Sequence, residues 1–221
     1  MKKVMGTAGL GAIFLTGQSD KHSCSLTPEQ EQTAQALGKL CLDVYPLNFP
    51  YQEQMAPYQK VPIIRASIAN LRMYLQSRQE EFTDRYRPRL YERISQHAFT
   101  LVLAGSCGLE IINNLHLPDE IKKKLHIFAY GPVARKQPDI SCTLVQGKRD
   151  WLSKYFFSQV DVVVDCGHMD YLQCPDVLRV LKETALHLQE EINTPAPKGG
   201  VSTQNALLLP RSQQNIRVNQ E

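Results

Sequence analysis

The sequence has no hydrophobic run of the about 20 residues that a membrane-spanning helix requires, and it has no strong net charge. The formal net charge is +3 over 221 residues, which is too small to indicate nucleic acid as a partner. The chain contains no CxxC, HxH or HxxxH spacing and no glycine-rich phosphate loop. The sequence therefore predicts a protein without a metal, a cofactor, a nucleic-acid partner or an integral membrane segment.

Paired cysteine spacings are also missing. Six cysteines are scattered along the chain, and three of them, Cys107, Cys142 and Cys166, lie in or beside apolar runs. A buried free cysteine behaves as a small hydrophobic residue, and unpaired thiols are typical of a reducing compartment. We therefore expect a cytoplasmic protein, while the spacing alone leaves one or two disulfides open.

The N-terminal residues imitate part of a signal peptide, because Lys2 and Lys3 precede the apolar Val4–Leu15. No cleavage site of small residues follows Leu15. The short apolar segment Gly11–Gly17 is instead typical of a buried strand. We interpret it as the first strand of the core.

Short apolar runs alternate with amphipathic segments along the chain. Hydrophobic residues make up 43% of the sequence and charged residues 21%, which is ordinary for a globular protein. The alternation predicts an α/β fold with a mainly parallel sheet of about six strands and helices on both faces. We expect one domain over residues 1–194 and a flexible tail over 195–221, where Pro, Gly, Gln, Asn and Ser are frequent.

Two helices are predicted in the middle of the chain. Ile64, Ile68, Leu71 and Leu75 are three or four residues apart, which predicts a helix with one buried apolar stripe. A shorter helix is expected over Leu90–Ile94, just before the next strand. Both segments precede the most informative motif of the chain.

That motif is Phe99–Gly108, in which an apolar strand ends at Ala104-Gly-Ser-Cys-Gly108 and a helical pattern begins at once. Strand, sharp turn and helix with Ser106 at the apex form the context of a nucleophile elbow. Small residues two positions before and after the serine let the strand and the helix approach closely. Ala104 and Gly108 occupy these positions, so the pattern predicts Ser106 as a nucleophile.

A serine nucleophile requires a base, and the base requires a carboxylate that orients it. The strand predicted over Ser141–Gly147 leads to Asp150, and the strand over Val160–Asp165 leads to His168. The carboxyl ends of parallel strands open onto one edge of a sheet, where ligands bind. We therefore expect Ser106, Asp150 and His168 to meet there.

These residues resemble the α/β-hydrolase superfamily, with the chain order serine, acid, histidine. The likeness covers about residues 10–192 and implies a small serine esterase, lipase or thioesterase with a minimal form of the fold. Two departures stand out. Ala104 replaces the commoner first glycine of the elbow, and Asp150 and His168 are only 18 positions apart, which leaves room for one short helix.

The resemblance also implies an oxyanion hole made of two backbone N–H groups. One belongs to the residue after the nucleophile, here Cys107. The other lies after the first core strand, at Thr16-Gly17-Gln18, where the family often has His-Gly. The implied second donor is the backbone of Gln18.

The choice between Ser106 and Cys107 as nucleophile depends on the crowded positions of the elbow. A motif centred on Ser106 places Ala104 and Gly108 there. A motif centred on Cys107 places Leu109 at one of them, and this side chain would crowd the contact between strand and helix. The spacing therefore favours Ser106.

The sequence leaves some alternatives open. Asp165, Asp170 or the more distant Asp20 could replace Asp150 as the partner of His168. Histidines near element ends, His97 and His126 among them, are expected at the surface or its boundary.

The functional prediction is cleavage of a small acyl ester or thioester by a serine hydrolase. The alternatives are an acyltransferase and a binding or scaffold protein of the same fold, because a fold alone does not imply a function. The oligomeric state is not predicted.

Overall fold

The computed structural model describes residues 7–51 and 56–194. The predicted tail over 195–221 and the lysines Lys2 and Lys3 lie outside these residues. Within them, no helix is both long enough and apolar enough to cross a bilayer.

The described residues contain a six-stranded sheet in which all neighbouring strands are parallel, in the order β2-β1-β3-β4-β5-β6. The strands are β1 Thr7–Leu15, β2 Asp43–Asn48, β3 His97–Gly105, β4 Leu125–Tyr130, β5 Cys142–Gly147 and β6 Val162–Val164. Their carboxyl ends are nearly level, because Leu15 pairs with Ala104 and Gly105 with Tyr130. The predicted parallel sheet of about six strands is confirmed.

Helices cover both faces of this sheet. They are α1 Pro28–Gly38, α2 Ile63–Gln76, α3 Glu80–Ile94, α4 Gly108–Asn114, α5 Asp119–Lys122, α6 Trp151–Phe156 and α7 Pro175–Asn193, with a 3-10 turn over Tyr171–Gln173. Strand side chains alternate between two cores. In β3, Val102 and Ala104 pack with α3 and α4, whereas Leu101 and Leu103 pack with α1 and α7.

The start of α1 agrees closely with the sequence signal. The Thr27 hydroxyl accepts from the Gln30 backbone N–H, while the Gln30 side chain accepts from the Thr27 N–H, so the two form a capping box. Pro28 occupies the first turn, where its missing N–H costs nothing.

The prediction of a short helix over Leu90–Ile94 is wrong in its length. Helix α3 begins ten residues earlier, at Glu80, and continues through Pro88. A proline inside a helix removes one backbone hydrogen bond. Phe82, Leu90 and Ile94 are buried on one side of α3, so tertiary packing holds the helix together across the proline.

The predicted burial of the α2 stripe is also wrong. Ile64 is 74% exposed and Leu71 is 58% exposed, and Ile68 and Leu75 are exposed as well. The side that faces the protein carries Asn70, Met73 and Tyr74 instead. A helical period identifies a helix, but which side a neighbour covers depends on the tertiary structure.

Two histidines expected at the surface are buried. His97 pairs through Nε2 with an Asp43 carboxylate oxygen at 2.8 Å. His126 lies between the hydroxyls of Ser141 and Thr143, at 2.8 and 2.9 Å. Burial lowers the pKa of His126 to about 4. The imidazole of His126 is therefore neutral at neutral pH.

Candidate active site

The ends of β3, β5 and β6 bring three sequence-predicted side chains together. The Ser106 Oγ lies 3.1 Å from the His168 Nε2. The other ring nitrogen, His168 Nδ1, lies 2.8 Å from the Asp150 Oδ2. A continuous chain of hydrogen bonds thus links the serine hydroxyl to a buried carboxylate.

The turn that presents Ser106 is sharp and strained. Strand β3 ends at Gly105, α4 begins at Gly108, and Ser106 has a φ of 51°, a left-handed conformation that costs energy for a residue with a side chain. A Cβ at Gly108 would lie 1.9 Å from the Leu15 carbonyl oxygen. Only glycine fits there, so the close approach inferred from the sequence is present.

The thiol of the neighbouring Cys107 is not activated as a nucleophile. Its side chain is buried, and burial raises the pKa of the thiol to about 12, although hydrogen bonds from the backbone of Cys107 and Gly17 oppose the shift. The reactive form of cysteine is the thiolate. At neutral pH Cys107 is therefore a neutral thiol inside the core, whereas the Ser106 hydroxyl faces His168.

Asp150 is fully buried and caps the N-terminus of α6. Its carboxylate accepts from the Ser153 backbone N–H at 2.9 Å, from the Tyr171 hydroxyl at 2.6 Å and from His168. Burial alone would raise its pKa, but the hydrogen bonds from His168, Ser153 and Tyr171 outweigh burial and lower it. Asp150 is therefore ionised at neutral pH.

Tyr171 is a member of this network that sequence reasoning missed. Its hydroxyl donates to Asp150 and accepts from the Gly147 N–H at 2.7 Å, which ties the acid to the end of β5. Burial, together with the smaller effect of the contact with Asp150, raises the pKa of Tyr171. Nothing in the sequence pattern distinguishes this tyrosine from an ordinary core residue.

The alternative acids have other partners. Asp165 pairs with Arg149 at 2.8 Å on the surface. Asp170 accepts from the Gly167 N–H, and Asp20 accepts from the His22 N–H. The carboxylate hydrogen-bonded to His168 is that of Asp150.

The loop after β1 is held by residues that the sequence did not single out. The Asn48 side chain accepts from the Thr16 N–H at 2.9 Å and donates to the Gly17 carbonyl at 3.1 Å. The Tyr51 hydroxyl donates to the Thr16 carbonyl. These bonds fix the backbone at Thr16 and Gly17, immediately before Gln18.

Helix α2 packs directly against this loop. A Cβ at Gly17 would lie 2.3 Å from the Asn70 Oδ1 and 2.8 Å from the Cys107 sulfur. Glycine is thus required for the loop, α2 and the elbow to meet. The Asn70 Oδ1 is buried and accepts no hydrogen bond from the residues that the structure describes.

A buried ion-pair network supports α4 behind the elbow. Glu110 is 1% exposed and accepts from the Arg135 guanidinium at 2.7 Å and from its backbone N–H at 3.0 Å. Arg78 also pairs with Glu110, at 3.2 Å. Burial opposes ionisation, but the bonds from Arg135 and Asn114 outweigh it and lower the pKa of Glu110. The charge therefore remains paired in the core.

Two cavities of the described residues lie away from the candidate site. Among residues 7–51 and 56–194, two cavities of about 270 and 300 Å³ both border His116, and neither is lined by Ser106 or His168. The same residues contain no cluster of three or more His, Cys, Asp or Glu side chains that could hold a metal ion.

No protein-family model matches the chain, and no curated protein matches it. Solved structures do. An uncharacterized protein from Bacillus cereus is 12% identical with a TM-score of 0.50, over 84% of this chain and 61% of that one. An α/β serine hydrolase homologue from Coxiella burnetii is 17% identical with a TM-score of 0.45, over 82% and 85%. An extracellular α/β-hydrolase from a Paenibacillus species is 9% identical with a TM-score of 0.47, over 80% and 98%.

At these identities the similarity concerns the fold alone. The parallel sheet, the helices on both faces and the sharp turn after β3 are those of an α/β hydrolase, so the chain has the α/β-hydrolase fold that its sequence predicted. The extracellular location belongs to the Paenibacillus protein. For this chain, the cytoplasm stays a prediction.

Proposed function

We propose that this protein is a serine hydrolase that cleaves carboxylic esters or thioesters through an acyl-enzyme on Ser106. The observation that carries the proposal is the unbroken series of hydrogen bonds from the Ser106 hydroxyl through His168 to Asp150. A buried, ionised carboxylate behind a histidine holds the imidazole in the orientation that a general base requires.

In the first half of the proposed reaction, the Ser106 Oγ attacks the acyl carbonyl carbon and its proton passes to the His168 Nε2. Asp150 stabilises the imidazolium that forms. The tetrahedral intermediate then collapses, the bond to the alcohol or thiol breaks, and the leaving group takes the proton from His168. The acyl group remains on Ser106 as an ester.

In the second half, water replaces the leaving group. His168 takes a proton from the water as it attacks the acyl carbon, and the second tetrahedral intermediate releases the acid. The proton returns from His168 to the Ser106 oxygen, which restores the starting enzyme. The reaction consumes one ester and one water, and it yields one acid and one alcohol or thiol.

We assign stabilisation of the intermediate's oxyanion to the backbone N–H groups of Gln18 and Cys107. Cys107 directly follows the nucleophile, and Asn48 orders the loop that leads to Gln18. Among the described residues, no hydrogen bond from the Gln18 N–H to a backbone or side-chain acceptor is found. The assignment uses main-chain donors, which the side chains at these positions do not alter.

A fluorophosphonate probe tests the proposal because it forms a covalent bond with an activated serine. We expect labelling of the wild type and of Cys107→Ala, and no labelling of Ser106→Ala. Labelling that survives Ser106→Ala and disappears in Cys107→Ala would instead identify the thiol as the nucleophile. The Cys107→Ala variant is the matched control because it changes the adjacent side chain of the same turn.

Chromogenic esters of increasing acyl length, assayed with and without added alcohol acceptors, separate the remaining alternatives. A hydrolase releases free acid at the rate at which it releases the chromophore. Faster chromophore release with a matching ester product would indicate an acyltransferase. Absence of both turnover and probe labelling would contradict the proposal and favour a binding protein.

A further inference from the structure

One helix beside the candidate site is apolar on the side that faces solvent. We name as the apolar face of α2 the four exposed side chains Ile64, Ile68, Leu71 and Leu75, which are between 49% and 74% exposed. Isolated exposed apolar residues are common, but a contiguous set on one element marks an interaction surface. We therefore expect this face to contact a partner surface.

The position of α2 connects this face to the proposed chemistry. On the opposite side of the helix, Asn70 contacts the loop at Gly17, and Tyr74 belongs to the same core cluster as Cys107. The apolar face thus lies one helix diameter from the elbow and the loop after β1. Whatever covers this face therefore lies near the loop after β1 and the turn that carries Ser106.

The charged residues in the stretch of sequence that contains α2 have one sign, between Glu53 before it and Glu80 after it. Residues 56–78 contain no Asp or Glu but carry Lys60, Arg65, Arg72 and Arg78. Arg78 pairs with the buried Glu110. The other three are exposed and form no ion pair with any residue of the described part of the chain. The surface is therefore apolar with a basic border.

This charge pattern discriminates between occupants. The segment 195–221 contains the apolar Ala206–Leu209, but its charged residues are Lys198, Arg211, Arg217 and Glu221, so it is itself basic. A second copy of α2 would likewise bring arginines against arginines. Like charges at close range are unfavourable, so an anionic partner fits better than either.

Apolar side chains bordered by Lys and Arg form the pattern of a helix that lies in a membrane interface. The aliphatic side chains enter the boundary between headgroups and acyl chains, while the basic side chains remain near anionic headgroups. Nucleic acid would satisfy the arginines but leave the aliphatic side chains in water.

We propose that the apolar face of α2 docks on the surface of an anionic phospholipid bilayer, so that the enzyme acts on acyl esters presented at that surface. The docking part rests on the exposed face and its basic border alone. The statement about substrate rests on the proposed function. The helix lies on the bilayer and does not cross it.

Vesicle sedimentation of the full chain tests the docking. We use vesicles of phosphatidylcholine alone and of one part phosphatidylglycerol to three parts phosphatidylcholine. We expect binding to the anionic vesicles, weakened by salt because the arginine contribution is screened. Ser106→Ala should bind as the wild type does, since docking needs no chemistry.

Two pairs of substitutions separate the apolar and basic contributions. Ile64→Ser with Leu71→Ser should weaken vesicle partitioning about tenfold or more, because two large aliphatic side chains no longer leave water. Arg65→Gln with Arg72→Gln should weaken it about fivefold per arginine at low salt and little at high salt. Leu186→Ser, a similarly exposed leucine on α7, is the matched control and should bind normally.

Absence of sedimentation with anionic vesicles would overturn the proposal, as would equal binding of the Ile64→Ser, Leu71→Ser variant. A wild-type dimer that this variant converts to monomers, measured by sedimentation velocity without lipid, would assign the face to a second copy instead. Turnover of a soluble short-chain ester reports separately on the proposed function, and the α2 variants should retain it. Vesicle binding without any such turnover would support docking and contradict the hydrolase.

Discussion

Tyr171→Phe is the substitution that most directly tests how the acid is held. It removes one oxygen atom and keeps the ring, which is buried beside Tyr130. That oxygen makes two buried hydrogen bonds, one to Asp150 at 2.6 Å and one from the Gly147 N–H at 2.7 Å. Both partners lose a bond that water does not readily replace.

The two losses have known sizes. A hydrogen bond to a charged group contributes about 1.5–3 kcal/mol, and a buried donor left without a partner costs about 1–3 kcal/mol. Because one hydroxyl serves both partners, the losses overlap. We expect Tyr171→Phe to lower the free energy of unfolding by roughly 2–4 kcal/mol at neutral pH.

The pH dependence of the free energy of unfolding separates the loss at Asp150 from the loss at the Gly147 N–H. The folded-state pKa of Asp150 lies below its ordinary value, so its stabilising contribution is complete above the unfolded pKa of about 4. This contribution disappears as the pH falls through the folded pKa. Without the hydrogen bond from the Tyr171 hydroxyl, the folded-state pKa of Asp150 is lowered less. The difference in the free energy of unfolding between variant and wild type should therefore become smaller in acid. What remains is the loss due to the unpaired Gly147 N–H.

Urea unfolding of both proteins at neutral pH and at several values below about pH 4 measures these differences, with Tyr155→Phe, whose side chain is exposed, as the control. We also expect kcat/KM to fall about tenfold, because Asp150 loses one of the bonds that orient it toward His168. A loss of stability below about 0.5 kcal/mol, or a loss that does not change with pH, would refute this account of Tyr171.

Two further predictions concern the acid and the elbow. Asp150→Asn should leave the fold intact but lower kcat about 10⁴-fold, because the amide favours the wrong tautomer of His168; wild-type rates in an ester assay would remove Asp150 from the mechanism. Gly108→Ala should prevent correct folding, since its Cβ would lie 1.9 Å from the Leu15 carbonyl oxygen, whereas Gly38→Ala, with open space around it, should not. Circular dichroism and the midpoints of urea unfolding compare the folding of the two variants. A stable Gly108→Ala protein that the fluorophosphonate probe labels would contradict the packing argument.

The sequence by itself determined the class of fold and the three residues of the candidate site. Local order along the chain contains this information. An apolar run that ends in small residues and passes directly into a helical pattern predicts the turn at Ser106. Because parallel strands end at one edge, residues just after β5 and β6 lie near that turn wherever else the chain goes. Asp150 and His168 could therefore be placed without coordinates.

Only the tertiary structure decided which groups complete the network. Tyr171 reaches Asp150 from the other side of the acid, and Asn48 reaches the loop at Gly17 from 31 residues away in the sequence. No periodicity encodes such contacts, because they depend on how separate elements pack. The Asp150 environment, and hence the direction of its pKa shift, results from that packing.

The same reason explains the two wrong helix predictions. The helix predicted over Leu90–Ile94 was too short, because buried residues on both sides of Pro88 hold α3 together from Glu80. The stripe from Ile64 to Leu75 indicated a buried side, but the core lies against Asn70 and Tyr74 instead. A helical period is a property of the chain alone, whereas burial is a property of the chain and its neighbours, so the sequence predicted the helix and only the fold showed which side of it meets the solvent.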